Sequence, residues 1–142
     1  MSSFRIVEST KHDMDFIEKG ICDYNESHVP FEPPIPVEAI NRHIKDEYGD
    51  IVAGINCIHY AWKCIAIDAL WVREDYRKKG LGSRLLREIE NAVKAYGCHL
   101  IHVDTFDFQA KDFYVKHGYE IFGVLEDCPL GHQRYYLKKS IS

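Results

Sequence analysis

The sequence predicts a single α/β domain in which helices cover both sides of a central sheet. Three observations carry this. Strand-like segments alternate with segments of helical periodicity along all 142 residues, an order that folds as a sheet with helices laid on it. The composition, 46% hydrophobic and 28% charged with 9 glycines and 5 prolines, is that of an ordinary globular chain able to bury one core. No repeat, low-complexity stretch or linker divides it into parts, so the reading is one domain over residues 1–142.

The elements follow in order. Phe4 to Val7 is strand-like, and Ser9 or Thr10 is placed to cap the helix behind it. Phe16, Ile17, Ile21 and Tyr24 recur at helical spacing, which predicts one buried face on that helix despite Gly20. His28 to Pro36 holds four prolines and is a stiff connecting loop, because proline neither donates to a ladder nor continues a helix. Ile40 to Glu47 and Ile51 to Tyr60 read as two strands joined by a turn at Gly49-Asp50. Cys64 to Val72 is the most apolar strand and so the central one. After Gly80, Leu81, Leu85, Leu86, Ile89, Val93 and Tyr96 form an amphipathic stripe that Gly97 ends. Leu100 to Thr105 is a strand, Gln109 to His117 a short helix closed by Gly118, and Tyr119 to Leu125 and Gln133 to Lys138 two final strands.

Charge and cysteine usage narrow the function. A net charge of −4 disfavours bulk binding to nucleic acid or to an anionic membrane. No apolar run approaches the roughly 18 residues of a spanning helix. Met1-Ser-Ser-Phe-Arg5 reads as a strand opening rather than a signal peptide, so the expectation is a cytoplasmic protein. Five cysteines, Cys22, Cys57, Cys64, Cys98 and Cys128, are odd in number and form no Cys-x-x-Cys pair. Neither a disulfide framework nor a metal site is expected.

The most informative stretch is Arg77-Lys78-Lys79-Gly80-Leu81-Gly82-Ser83, between the central strand and the amphipathic helix. Glycines let the backbone turn tightly and approach a ligand closely. The helix start offers unpaired N–H groups and a partial positive charge, which suit a phosphate. Arg73, Arg77, Lys78 and Lys79 add positive charge at the same place. The turn is neither a P-loop, since no Gly-Lys-Ser/Thr follows four residues after the first glycine, nor a dinucleotide fingerprint, since Leu85 stands at the third glycine position.

What remains is Arg-x-x-Gly-x-Gly, which resembles the acetyl-CoA pyrophosphate signature of the GNAT superfamily of N-acetyltransferases. Phe113-Tyr114-Val-Lys-His-Gly118-Tyr-Glu120 resembles that superfamily's Phe/Leu-Tyr-x-Lys-x-Gly-Phe/Tyr segment, and the element order matches as well. The resemblance implies a mostly antiparallel sheet with a splayed parallel pair. It implies an acetyl-CoA-dependent enzyme acting on a primary amine of a small molecule or an amino terminus, without a metal. A homodimer is plausible on the same ground. It places the pyrophosphate at Arg77, Lys78, Lys79, Gly80, Leu81, Gly82 and Ser83, and the pantetheine arm along Leu70, Trp71 and Val72. Gln109 stands where many members carry an asparagine that contacts that arm or the following helix.

Chemistry then assigns roles. Transfer needs a proton for the departing thiolate, and the Tyr114 phenol can supply it. Asp68, the acid within the central strand, is the first candidate for the base; His132, His28 and an ordered water are others. The acceptor is expected between the His28–Pro36 and Glu126–His132 loops; Glu32, Glu126 and Asp127 within them and Glu26 and Glu38 beside the first favour a cationic amine. A non-catalytic acyl-CoA-binding sensor or regulatory module would keep the glycine turn too; a proton donor at Tyr114 favours the enzyme.

Overall fold

The structure is a computed structural model and describes residues 3–32 and 37–141. Its strands are β1 (Val37–Lys45), β2 (Ile51–Tyr60), β3 (Cys64–Val72), β4 (Leu100–Phe106), β5 (Glu120–Glu126) and β6 (Gln133–Ser140). Its helices are α1 (Lys11–His28), α2 (Leu81–Ala95) and α3 (Lys111–Lys116), with a single 3-10 turn at Glu74–Tyr76. The strands make one sheet in the order β1-β2-β3-β4-β6-β5. All neighbours are antiparallel except β3 and β4. A parallel neighbour cannot be reached by a tight turn, so the chain crosses from β3 to β4 through α2.

The apolar stripe of α2 explains its place. Leu85, Leu86, Ile89 and Val93 are buried against Ile40 of β1, Ala53, Ile55 and Cys57 of β2, Ile65 and Ile67 of β3, and Ile101 of β4. Each such buried aliphatic side chain contributes roughly 1.5–3 kcal/mol. α3 joins the same layer: Tyr114 and Tyr119 belong to that core. The Tyr119 hydroxyl donates to Glu90 of α2 at 2.9 Å, and Lys139 of β6 donates to the same oxygen at 3.0 Å. The mixed sheet with one parallel pair is therefore as the sequence predicts.

The N-terminal part differs from expectation. Phe4–Val7 forms no strand, and Phe4 is 94% exposed. α1 is a well-formed helix: Thr10 caps it, accepting from the Asp13 N–H while the Asp13 carboxylate accepts from the Thr10 N–H. Yet none of its residues is buried. Phe16, Ile17, Ile21 and Tyr24, the stripe expected to face a core, all stand in solvent. Helical cover is thus present on one side of the sheet and not on the other. Periodicity reports that a face is apolar; it does not report what covers it. The proline stretch at 33–36 lies outside the described residues.

Candidate active site

The site begins with a flaw in the sheet. β2 and β3 are in register up to Cys57↔Ile67 and resume at Asn56↔Ala69, so Asp68 is one extra residue on β3. A bulge bends its strand and increases local twist. On the other side of β3, pairing with β4 ends at the same place, Ile67↔Val103, although both strands run on to Val72 and Phe106. From Asp68 to Val72 one backbone edge of β3 therefore faces open space. That space is a cavity of about 730 Å³ lined by Asp68, Leu70, Trp71, Val72, Gln109 and Tyr114 among others.

The cavity continues into a second of about 360 Å³ at the start of α2, the two sharing Val72, Arg77, Gly82 and Phe113. Gly80 is the N-cap of α2 at φ +77, a left-handed conformation in which a Cβ is strained. No side chain caps this helix, so its first N–H groups are left for a ligand. A Cβ on Gly82 would point at the Phe113 ring 3.5 Å away, and its absence keeps the wall between the two cavities low. Lys78, Leu81, Ser83 and Lys116 complete the lining. The two cavities together run from the open edge of β3 to the start of α2.

Not every basic side chain of the turn serves it. Arg73 pairs with Asp75 at 2.7 Å and lies over the Tyr76 ring, and Lys79 lies over the same ring at 5.0 Å. Neither lines the cleft. Arg77 does, with its Nε donating to the Val72 carbonyl at 2.9 Å, which ties the end of β3 to the turn. The Gln109 carbonyl accepts from Thr105 Oγ1 and from the Phe106 N–H. It organises the turn between β4 and α3, the local role that a longer amide side chain reaches easily.

α3 carries Tyr114 and is docked onto the N-terminal end of α2. Ser83 Oγ and His117 Nε2 are 2.9 Å apart, and Phe113 packs on His117 and toward Gly82. The Tyr114 ring is 3% exposed. Burial pushes its phenol above the ordinary tyrosine range, and neighbouring Cys57 and Asp104 push it further. The hydroxyl makes no hydrogen bond among the described residues and lies on the cavity wall.

Carboxylates line the cavity at Asp68, Asp104, Asp107 and Asp112. Arg134 takes up Asp104 at 2.6 Å. Asp107 takes up His132 Nδ1 at 2.9 Å and the Gln133 N–H at 3.0 Å. Burial pushes the Asp107 carboxyl up, but these hydrogen bonds outweigh it and hold the group below the usual carboxylate range. Asp68 is exposed and has no ion-pair partner among the described residues. Phe106 and Phe108 stack beside this acidic group, with His132 edge-on to Phe108.

Comparison with known proteins places this geometry. Residues 13–119 match the model of the acetyltransferase (GNAT) family. The chain belongs to that family. It is 35% identical over 107 residues to blasticidin-S acetyltransferase of Streptomyces morookaense, a match spanning 75% of this chain and 78% of that protein. It is 39% identical to an acetyltransferase from Bacillus cereus ATCC 14579 of known crystal structure, with a TM-score of 0.90 over 96% of this chain and 97% of the other. An aminoglycoside 6'-N-acetyltransferase solved with coenzyme A shares the fold at 19% identity, with a TM-score of 0.66 over 97% of this chain and 98% of that one.

In this GNAT-family chain the turn at the narrow end of the cleft was legible in the sequence, and most of the lining of the larger cavity was not. Asp104, Asp107, Asp112, Phe108, Lys111, Lys116 and His117 all contribute to the cleft, to its docking contacts or to both, yet sequence reasoning gave none of them a site role. A usable signal existed for Asp104 and Asp107, since acids at the carboxyl end of a strand beside a crossover stand where α/β ligands bind. Of the two acidic loop positions, Glu32 is bridged to Trp62, before the start of β3 and away from the cavity at its far end. Asp127 spends its carboxylate on the Gly131 N–H.

Proposed function

We propose that the chain transfers an acetyl group from acetyl-CoA to a primary amine carried by a small cationic molecule. The observation that carries this is the single cleft joining the open edge of β3 to the uncapped start of α2. Bound there, acetyl-CoA supplies an activated thioester. The N–H groups of Leu81 to Ser83 hold its diphosphate, and the backbone of Leu70, Trp71 and Val72 holds its amide-rich arm. Backbone dipoles fixed along β3 also polarise the acyl carbonyl, an electrostatic contribution that grows where water is excluded.

Proton movement falls to two side chains that line the cavity, one on β3 and one on α3. Asp68, unpaired on the bulge, accepts a proton from the incoming ammonium group, leaving the amine lone pair free to attack. Tyr114 keeps its proton until sulfur departs and then donates it; nitrogen loses its second proton as the amide forms, and that proton restores the phenol, so two protons leave nitrogen, one reaches sulfur by way of Tyr114 and one passes from Asp68 to solvent. The raised phenol makes it a weaker acid than its unperturbed value suggests, which secures its protonated form but lessens the driving force of donation. The cationic acceptor is favoured by the acids around the cavity, and the likeness to blasticidin-S acetyltransferase makes blasticidin S a first acceptor to try. Free thiol released from acetyl-CoA across a panel of amines, blasticidin S and polyamines among them, tests the reading. Amine-dependent release is expected; a chain that binds acetyl-CoA and releases thiol with no amine of the panel would point to a sensor instead.

A further inference from the structure

The bare side of the sheet and the bare side of α1 belong to one chain, and neither has a partner among the described residues. Side chains alternate across a pleated strand, so the face turned away from α2 and α3 carries Ile58, Trp71, His102, Tyr136 and the bulged Phe122. Ile58, Trp71 and Phe122 are exposed to 37%, 48% and 56%. α1 presents Met14, Ile17, Ile21 and Tyr24 along one stripe, with Lys11–Asp15 and Lys19–Asp23 ion pairs elsewhere on its surface. A lone 18-residue helix interrupted by Gly20 is marginal in water, since most helical stability in proteins comes from packing an apolar face. Both surfaces call for a cover.

We propose that α1 of each copy packs on the open sheet face of a second copy, in a reciprocal, twofold exchange. Two observations select a second copy over the chain's own sheet. First, the exit of the helix is pinned. The Val29 N–H closes α1 on the Asn25 carbonyl at 2.8 Å, Trp62 Nε1 donates to the Val29 carbonyl at 2.8 Å, and the Glu32 N–H donates to the Ala61 carbonyl. From Asn25 to Glu32 the backbone is thus tied to the corner between β2 and β3, with Phe31 against Trp62, and the helix is directed off the body. Second, the likeness to the Bacillus cereus structure reaches a TM-score of 0.90 over 96% of the chain, a value that requires the arm to leave the body in the same way there. An extended apolar helix kept in two related chains implies a standing partner. Exchange of identical elements between copies is a low-cost route to a closed dimer.

Sedimentation equilibrium on the full chain tests this, together with two variants on opposite partners of the contact. Wild type is expected at twice the chain mass at micromolar concentration. Ile17→Asp/Ile21→Asp on the helix and Ile58→Asp on the sheet should each shift it to the monomer, with the strand signal in circular dichroism retained, since all three positions are exposed in the single chain. A monomeric wild type, with the helix on its own sheet or on nothing, would overturn the proposal. So would a dimer that survives either variant: loss with the helix variant alone means helix-on-helix pairing, and loss with neither means another surface.

Discussion

Tyr114 and Asp68 face one cavity from different elements, and each can be removed without removing bulk. For Tyr114→Phe, turnover should fall about 10²- to 10⁴-fold while acetyl-CoA binding changes little, because on the proposed mechanism only the proton donor is lost. Steady-state kinetics beside a binding isotherm reads this, and unchanged turnover would take the phenol out of the chemistry. Asp68→Asn should cost a similar factor. If it does not, and His132→Gln does, the base is the imidazole that Asp107 orients through its Nδ1. At this scale the sequence was informative where chemistry is tied to local spacing: Gly80 at positive φ and Gly82 near Phe113 follow from the turn itself. It was uninformative where a residue's role depends on what folding brings near. Nothing in the run Asp-Thr-Phe-Asp announces that Arg134 and His132 will engage its two acids.

Among the elements, β2, β3 and α2 were legible because their burial follows a local period, and the observed bounds of β2 and β3 coincide with the expected ones. The bulge at Asp68 was not, because an extra residue is defined only against the partner strand. Phe4–Val7 failed for a related reason: a strand-like composition is not a ladder until another strand accepts it. The contact between β2 and β4 supports a further expectation. The Tyr60 hydroxyl bonds His102 Nε2, and burial pushes that imidazole below its ordinary value, with Asp104 opposing the shift. The unfolded chain therefore takes up a proton before the folded one does. The stability this group contributes is complete above about pH 6.5 and declines as pH falls from there toward the lowered folded value. Melting curves from pH 7.5 to 5.5 should show wild type losing more stability on acidification than His102→Gln. Parallel curves for the two proteins would remove His102 as the cause.

The whole molecule is a sheet with one helical layer in place and the second held out on an arm, and its cleft opens where the sheet comes apart. The last feature has a thermodynamic side. A sheet that divides at Ile67 and Val103 has given up ladder bonds it could have formed, so its middle is the least protected part of an otherwise well-paired structure. A ligand arm laid along Asp68 to Val72 acts as a substitute strand and restores those bonds from outside the chain. Folding and binding then draw on the same hydrogen bonds, and ligand at a hundred times its dissociation constant raises stability by about 2.7 kcal/mol. Amide hydrogen exchange makes the substitution visible residue by residue. In the free protein, N–H groups of β3 beyond Ile67 that point toward the gap should exchange far faster than those of Ile65 to Ile67; with acetyl-CoA present they should slow selectively. Uniform slowing across the sheet would mean that the ligand stiffens the molecule without completing its strand.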